Sequence, residues 1–121
     1  MKTVLSAAIR APSGENAQPW RFRVANETIM LLHDSASDQS LYNYKGYGTL
    51  TAHGAALENI SIAALALGYK PTIDLFPSDD APEHIANIRL GTKGEPDREI
   101  EGLYRAIANR STNRKPYGKL A

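Results

Sequence analysis

The chain has 121 residues, 42% of them apolar and 22% charged, with a formal net charge of +1; this is the balance of one ordinary globular domain with a modest core. A charge so close to zero gives no footprint for nucleic acid or for a membrane surface. The absence of cysteine excludes disulfides, thiolate metal sites and a cysteine nucleophile, and it fits the reducing cytoplasm, the expected location.

Residues 2–10 read as a short helix, with Leu5, Ala8 and Ile9 at i, i+3, i+4. Pro12 ends it, because the residue before a proline is pushed out of the α region. Arg10 interrupts this mildly apolar start, which is too short and too polar for a membrane span. APSGENAQPW, residues 11–20, carries two prolines, a glycine and the chain's only tryptophan; it cannot be the middle of a helix or a central strand. PWRFRV then alternates, with Trp20, Phe22 and Val24 on one face and Arg21 and Arg23 on the other, as a half-buried strand does. ANET forms a turn, and TIMLLHD is the second strand of a hairpin, its four apolar residues in a row predicting burial on both faces.

DSASDQSLYNYKGYG is a polar loop whose tyrosines are expected to pack. Residues 49–69 form the strongest helix. Ala52, Ala55, Ala56, Ile60, Ala63, Ala64 and Leu67 cover one side, and Leu57, Ile62, Leu65 and Ala66 much of the other. A helix apolar nearly all round is a buried one, and Gly68 suits its C′ position. TIDLF and IANIRL are two further strands. Residues 96–110 form an amphipathic helix, with Ile100, Leu103, Tyr104 and Ile107 on one face and a supporting Glu101–Arg105 pair. The order α-β-β-α-β-β-α predicts an α+β fold, with a largely antiparallel sheet of about four strands packed on the central alanine-rich helix.

His33, His53 and His84 show no metal-ligand spacing, so no metal is expected. The phosphate-cradling and nucleophile-elbow motifs GxGxxG, GxxxxGKS and GxSxG do not occur. Asn59, in the apolar helix, needs a partner and is expected to tie that helix to a loop. Trp20 is expected in the core or an interface.

Three segments resemble the nitroreductase family of flavin enzymes. APSGENAQPWRF resembles its P-S-x-x-N-x-Q-P-W segment, HGAALENISIAALALGY its central helix, and NRSTNRKPY, residues 109–117, its flavin-phosphate motif. Ordinary members carry the phosphate motif first. Here it comes last, which resembles the internally duplicated branch, with residues 1–108 as a first nitroreductase-like half and 109–121 as the start of a second.

The resemblance implies flavin mononucleotide (FMN) as cofactor, held by Ser13, Gly14 and Asn16 along the ring and ribityl chain and by Arg110, Ser111, Thr112 and Arg114 at the phosphate. Arginine forks and hydroxyls match phosphate oxygens with charge-assisted and neutral bonds. The cluster follows a helix C-terminus, whose dipole repels anions, so side-chain charge must bind unless Ser111 or Thr112 caps a following helix. The bland readings are a plain helix-to-strand connection for the first set, with local turn hydrogen bonds, and a solvated basic helix end for the second. Glu15 departs from the small or neutral residues usual there, and is expected to face solvent unless the site is altered.

The implied activity is reduction of nitroaromatics or quinones by NAD(P)H, with no catalytic side chain. The alternatives are a non-catalytic flavin-binding or flavin-storage protein and a self-associating half-domain. A homodimer is expected, with Ala52, Ala56 and Ala63 of the central helix near their symmetry mates; nucleic acid and membrane are not expected partners.

Overall fold

The computed structural model describes residues 1–37, 39–41, 43–113, 115, 116 and 118. Its elements in chain order are α1 (Lys2–Ala8), β1 (Trp20–Ala25), β2 (Thr28–His33), α2 (Tyr47–Ala66), β3 (Thr72–Leu75), β4 (His84–Arg89) and α3 (Glu101–Asn109). Single 3₁₀ turns at Gly14–Asn16 and Tyr44–Gly46 precede β1 and α2. The predicted α+β order is therefore the one observed.

All strand pairs are antiparallel, in the spatial order β1-β2-β4-β3. Asn26 and Glu27, both at positive φ, make the tight turn between β1 and β2, and two left-handed residues match the twist of a hairpin. Trp20 pairs with His33 and Ala25 with Thr28. Between β2 and β4 the register slips after Leu31, which pairs with Ala86 while Leu32 pairs with His84. Ile85 is thus the extra residue of a bulge.

The core lies between one sheet face and the helices. Ile29, Leu31, Ala86 and Ile88 from the two middle strands, Ala52, Ala56, Ile60, Ala63 and Ala64 from α2, and Val4, Ala7 and Ala8 from α1 are buried together. The side chains of α2 are small enough to let α1 approach closely, and Asn59 Nδ2 donates to the Ala7 carbonyl at 2.9 Å. The role is structural as expected, but the tie is made to the helix α1 rather than to a loop. At the other end of α2, Gly68 sits at φ +85°. Its N–H donates to Leu65 O at 2.9 Å and that of Tyr69 to Ala64 O at 2.9 Å, which is a Schellman cap.

β3 is exposed at all four residues, because it is an edge strand and α2 covers the middle of the sheet. Three expectations are corrected. β2 is fully buried only at Ile29 and Leu31; Met30 and Leu32 are half-buried, so the sheet's outer face is partly open. α3 begins at Glu101 rather than residue 96; Asp97 donates its N–H to Leu65 O and accepts Glu99 N–H on its side chain, which holds those residues in a turn. Ala52, Ala56 and Ala63, expected between symmetry mates, are buried within the single chain at 2%, 0% and 0% exposure. The open stripe of α2 is Tyr47, Leu50, Thr51, Gly54 and Glu58. Among the described residues no helix is long and apolar enough to cross a membrane.

Candidate functional site

The loop between α1 and β1 holds a conformation that its residues would not choose alone. Glu15, Asn16 and Gln18 have φ of 50°, 60° and 51°, the left-handed region that costs a non-glycine residue about 1–2 kcal/mol. Short polar bonds offset part of that cost. Asn16 N–H donates to Ser13 O at 3.1 Å and Ala17 N–H to Gly14 O at 2.8 Å. Ser13 Oγ accepts Gln18 N–H at 2.9 Å, Asn16 Oδ1 accepts Gln18 Nε2 at 3.3 Å, and Trp20 N–H donates to Gln18 O at 2.8 Å. Ser13 and Asn16 thus make the local turn bonds of the bland reading, and Glu15 faces solvent.

The same loop lines a groove of about 340 Å³, with Pro12, Ser13 and Gly14 on one wall and Tyr47, Gly48, Thr51 and Ala52 of α2 on the other. A Cβ built on Gly14 meets nothing within 4 Å. Among the described residues no carboxylate lines the groove. It offers the proline and tyrosine faces to an apolar ring and the hydroxyls of Ser13 and Thr51 to polar edges. Sequence reasoning missed the α2 wall. Tyr47 was expected to pack, yet it is 62% exposed, beside Tyr44 at a ring separation of 6.4 Å. The signal was the Gly46–Gly48 pair, which marks a thin helix start.

The loop's far end is anchored from two sides. Pro19 O accepts Asp34 N–H at 3.1 Å and lies 2.7 Å from Nε2 of buried His53. A carbonyl only accepts, so Nε2 carries the proton. Burial above all, and then neighbouring His33, push the His53 pKa down, against the opposing pull of the Pro19 carbonyl. The His33 and His53 rings meet edge-on at 5.4 Å, and the Nδ1 atoms of both are buried with no hydrogen-bond partner among the described residues. Nearby, Arg21 grips Asp34 with Nε at 3.0 Å and Nη2 at 2.9 Å. The Arg21 hydrogen bonds hold the Asp34 carboxyl down to about 2, with help from Ala36 N–H and the Ser37 side chain against some desolvation.

Arg110 is the C-cap of α3, and its Nη2 donates to Arg10 O at 3.1 Å. Arg10 leads directly into the loop at Pro12 and Ser13. Ser111 and Thr112 are exposed. No helix follows α3 among the described residues, so neither caps one, and side-chain charge is what that cluster offers an anion. Arg114 and Tyr117 lie outside the described residues. A larger cleft, of about 600 Å³, separates α1 from α3, with Ala7, Tyr104 and Ile107 inside and Lys2, Arg10 and Arg105 at its rim. Of the residues singled out in the loop, Ser13 and Gly14 line the smaller groove and Asn16 does not. No group of three or more potential metal ligands occurs among the described residues.

The sheet order, central helix and loop define a nitroreductase-like fold. A crystallised protein of Desulfovibrio desulfuricans, described as a "putative nitroreductase in complex with fmn", superposes with a TM-score of 0.61 at 22% identity, covering 95% of this chain and 77% of its own. Among curated proteins, two of Mycobacterium tuberculosis named "Putative NAD(P)H nitroreductase Rv3131" and "Putative NAD(P)H nitroreductase acg" are each 32% identical, over 97% and 98% of this chain. The chain spans about a third of their length, 34% and 36% respectively. No protein-family model matches the sequence.

Proposed function

We propose that the chain is an FMN-binding part of an NAD(P)H-dependent nitroreductase, acting on nitroaromatics or quinones. The observation that carries this is the groove between the strained loop and the first turns of α2, set in a fold shared with an FMN-bound protein. When bound, FMN would supply the redox chemistry, a two-electron transfer from nicotinamide to acceptor.

The chain's own residues place and shield that ring. Pro12 and Tyr47 offer apolar contact, Ser13 and Thr51 polar contact, and the bare Gly14 leaves room for close approach. The phosphate falls to Arg110, Ser111, Thr112 and Arg114, whose charge and hydroxyls suit it. Arg110 uses one nitrogen on Arg10 O and keeps other donors of its fork. Asn16, beyond the lined groove, is assigned to the polar end of the cofactor. This reading includes residues 1–108 as a first nitroreductase-like half and 109–121 as the opening of a second, on the order of the motifs. It also includes a homodimer and a cytoplasmic location.

Titration of the purified chain with FMN tests it. Quenching of flavin fluorescence that saturates, followed by bleaching of the bound flavin with NADPH or NADH and recolouring by a quinone, is the expected result. No uptake of FMN overturns the cofactor. Uptake without bleaching by either nicotinamide overturns the reductase and favours a flavin-binding or storage protein.

A further inference from the structure

We infer that His53 is a positioning residue for the groove: from α2 it holds the Pro19 carbonyl, and through it the loop that forms the opposite wall. The inference rests on the flavin reading above, and it concerns the first residue of the segment HGAALENISIAALALGY, to which the resemblance gives no role.

The loop needs an outside anchor. Three of its four residues from Glu15 to Gln18 are left-handed and non-glycine, so the conformation is strained. Its internal bonds, Gln18 N–H to Ser13 Oγ and Gln18 Nε2 to Asn16 Oδ1, are exposed and compete with water. Pro19 has no N–H, so its carbonyl is the one backbone group by which it can be held. That carbonyl takes one bond from the β2 end, at Asp34, and one from α2, at His53.

The bond to His53 is the one that joins the two walls. Tyr47, Gly48, Thr51 and Ala52 line the groove, and His53 is the next residue of the same helix. One hydrogen bond of 2.7 Å therefore ties the loop to the helix across from it. Packing alone does not call for a histidine here. The side chain is 98% buried, being 2% exposed, its Nδ1 is left without a partner among the described residues, and burial acts against its charged form. A hydrocarbon would fill the space with no orphaned nitrogen. What the imidazole adds is a donor at the reach of Nε2, beside the His33 ring, whose centroid lies 5.4 Å from its own in a T-shaped arrangement.

The test compares the full chain with His53→Leu and His53→Gln, the amide of glutamine placing an N–H donor close to where Nε2 stands. Two readouts are taken. Acrylamide quenching of Trp20, the chain's only tryptophan and the neighbour of Pro19, reports the loop without any ligand. FMN titration reports the groove. His53→Leu is expected to raise Trp20 quenching and to weaken FMN binding about tenfold, the scale of one lost hydrogen bond; His53→Gln is expected to restore both to within about threefold. If His53→Leu does not fold, His53→Asn, whose amide is one carbon too short, takes its place. Equal FMN affinity in all variants, or unchanged Trp20 quenching, overturns the positioning role alone. A failure of the unmutated chain to bind FMN overturns the flavin reading, and this inference with it.

Discussion

Arg110 and Arg10, a hundred residues apart in the chain, are joined by a hydrogen bond of 3.1 Å from the guanidinium of one to the carbonyl of the other. The bond fastens the end of α3 to the end of α1, just before the groove loop begins. It gives Arg110 two assignments, a structural one that is seen and a phosphate-binding one that is proposed, and the two predict different losses. Arg110→Ala should cost under about 1 kcal/mol of stability, because the bond is exposed. It should weaken FMN binding by about 1.5–3 kcal/mol, the scale of a hydrogen bond to a charged group, and riboflavin binding much less, since riboflavin has no phosphate. Parallel titrations with the two flavins check this; equal losses would leave Arg110 only its structural role. Arg114→Ala should show the same preference.

Two glycines separate ligand space from backbone strain. At Gly14, which lines the groove, an added side chain has open room. Gly14→Leu should change the urea midpoint little and lower FMN affinity at least tenfold, because the side chain competes with the ligand for the groove. At Gly68 the backbone has φ +85° and an added Cβ would stand 2.3 Å from Gly94 O. Gly68→Ala should destabilise the chain by about 2 kcal/mol or more without a specific effect on flavin. Denaturation curves and FMN titrations on both variants make the comparison; a Gly14→Leu chain that binds FMN normally would remove the groove as the site.

Much of this architecture was legible in the sequence. The alternation of residues 20–24, the apolar run at 29–32 and the face of Ile100, Leu103, Tyr104 and Ile107 are local patterns, and each marked a real element. Gly68 marked the end of α2 because only glycine fits that φ without cost. What failed was whatever depends on the arrangement of elements. Ile73 and Leu75 alternate like a half-buried strand, yet they lie at 38% and 55% exposure, since nothing in TIDLF says that it is an edge. For the site, loop residues 13 and 14 could be found from their motif. Tyr47 and Thr51 become part of the groove only once α2 is laid beside the loop. His53 opens the segment that resembles the family's central helix, but the resemblance gave it no role, because that role comes from a contact 34 residues away in sequence.

The alanines of α2 give a further test of where that helix is buried. Ala56 has no exposed surface in the single chain. Ala56→Arg should therefore abolish cooperative folding, because it places an unpartnered charge in the core. A helix buried between two copies would instead yield a soluble, folded monomer. Circular dichroism together with light scattering distinguishes the two, and a folded monomeric Ala56→Arg chain would overturn the core placement.

Stability should fall with acidification in two separate stages. Burial lowers the His53 pKa in the folded chain, so below the unfolded value of about 6.5 the unfolded chain binds more protons. The contribution of neutral His53 is thus fully present above that value and is lost as pH falls toward and through the lower folded pKa. His53→Gln removes the titrating group and should flatten the change in urea midpoint between about pH 7.5 and 5.5. Asp34 acts later. Its folded pKa is about 2 against an ordinary 3.8, so its contribution is present above the ordinary value and is lost as pH falls from there through about 2. Arg21→Met removes the guanidinium chiefly responsible, and the Asp34 carboxyl should then titrate close to the ordinary value by NMR. The two stages are independent because they rest on different groups. A His53→Gln chain that keeps the full slope between neutral pH and about 5.5 would show that the slope does not come from His53, while an Asp34 titration unmoved by Arg21→Met would mean that Ala36 N–H and Ser37 hold the carboxylate down.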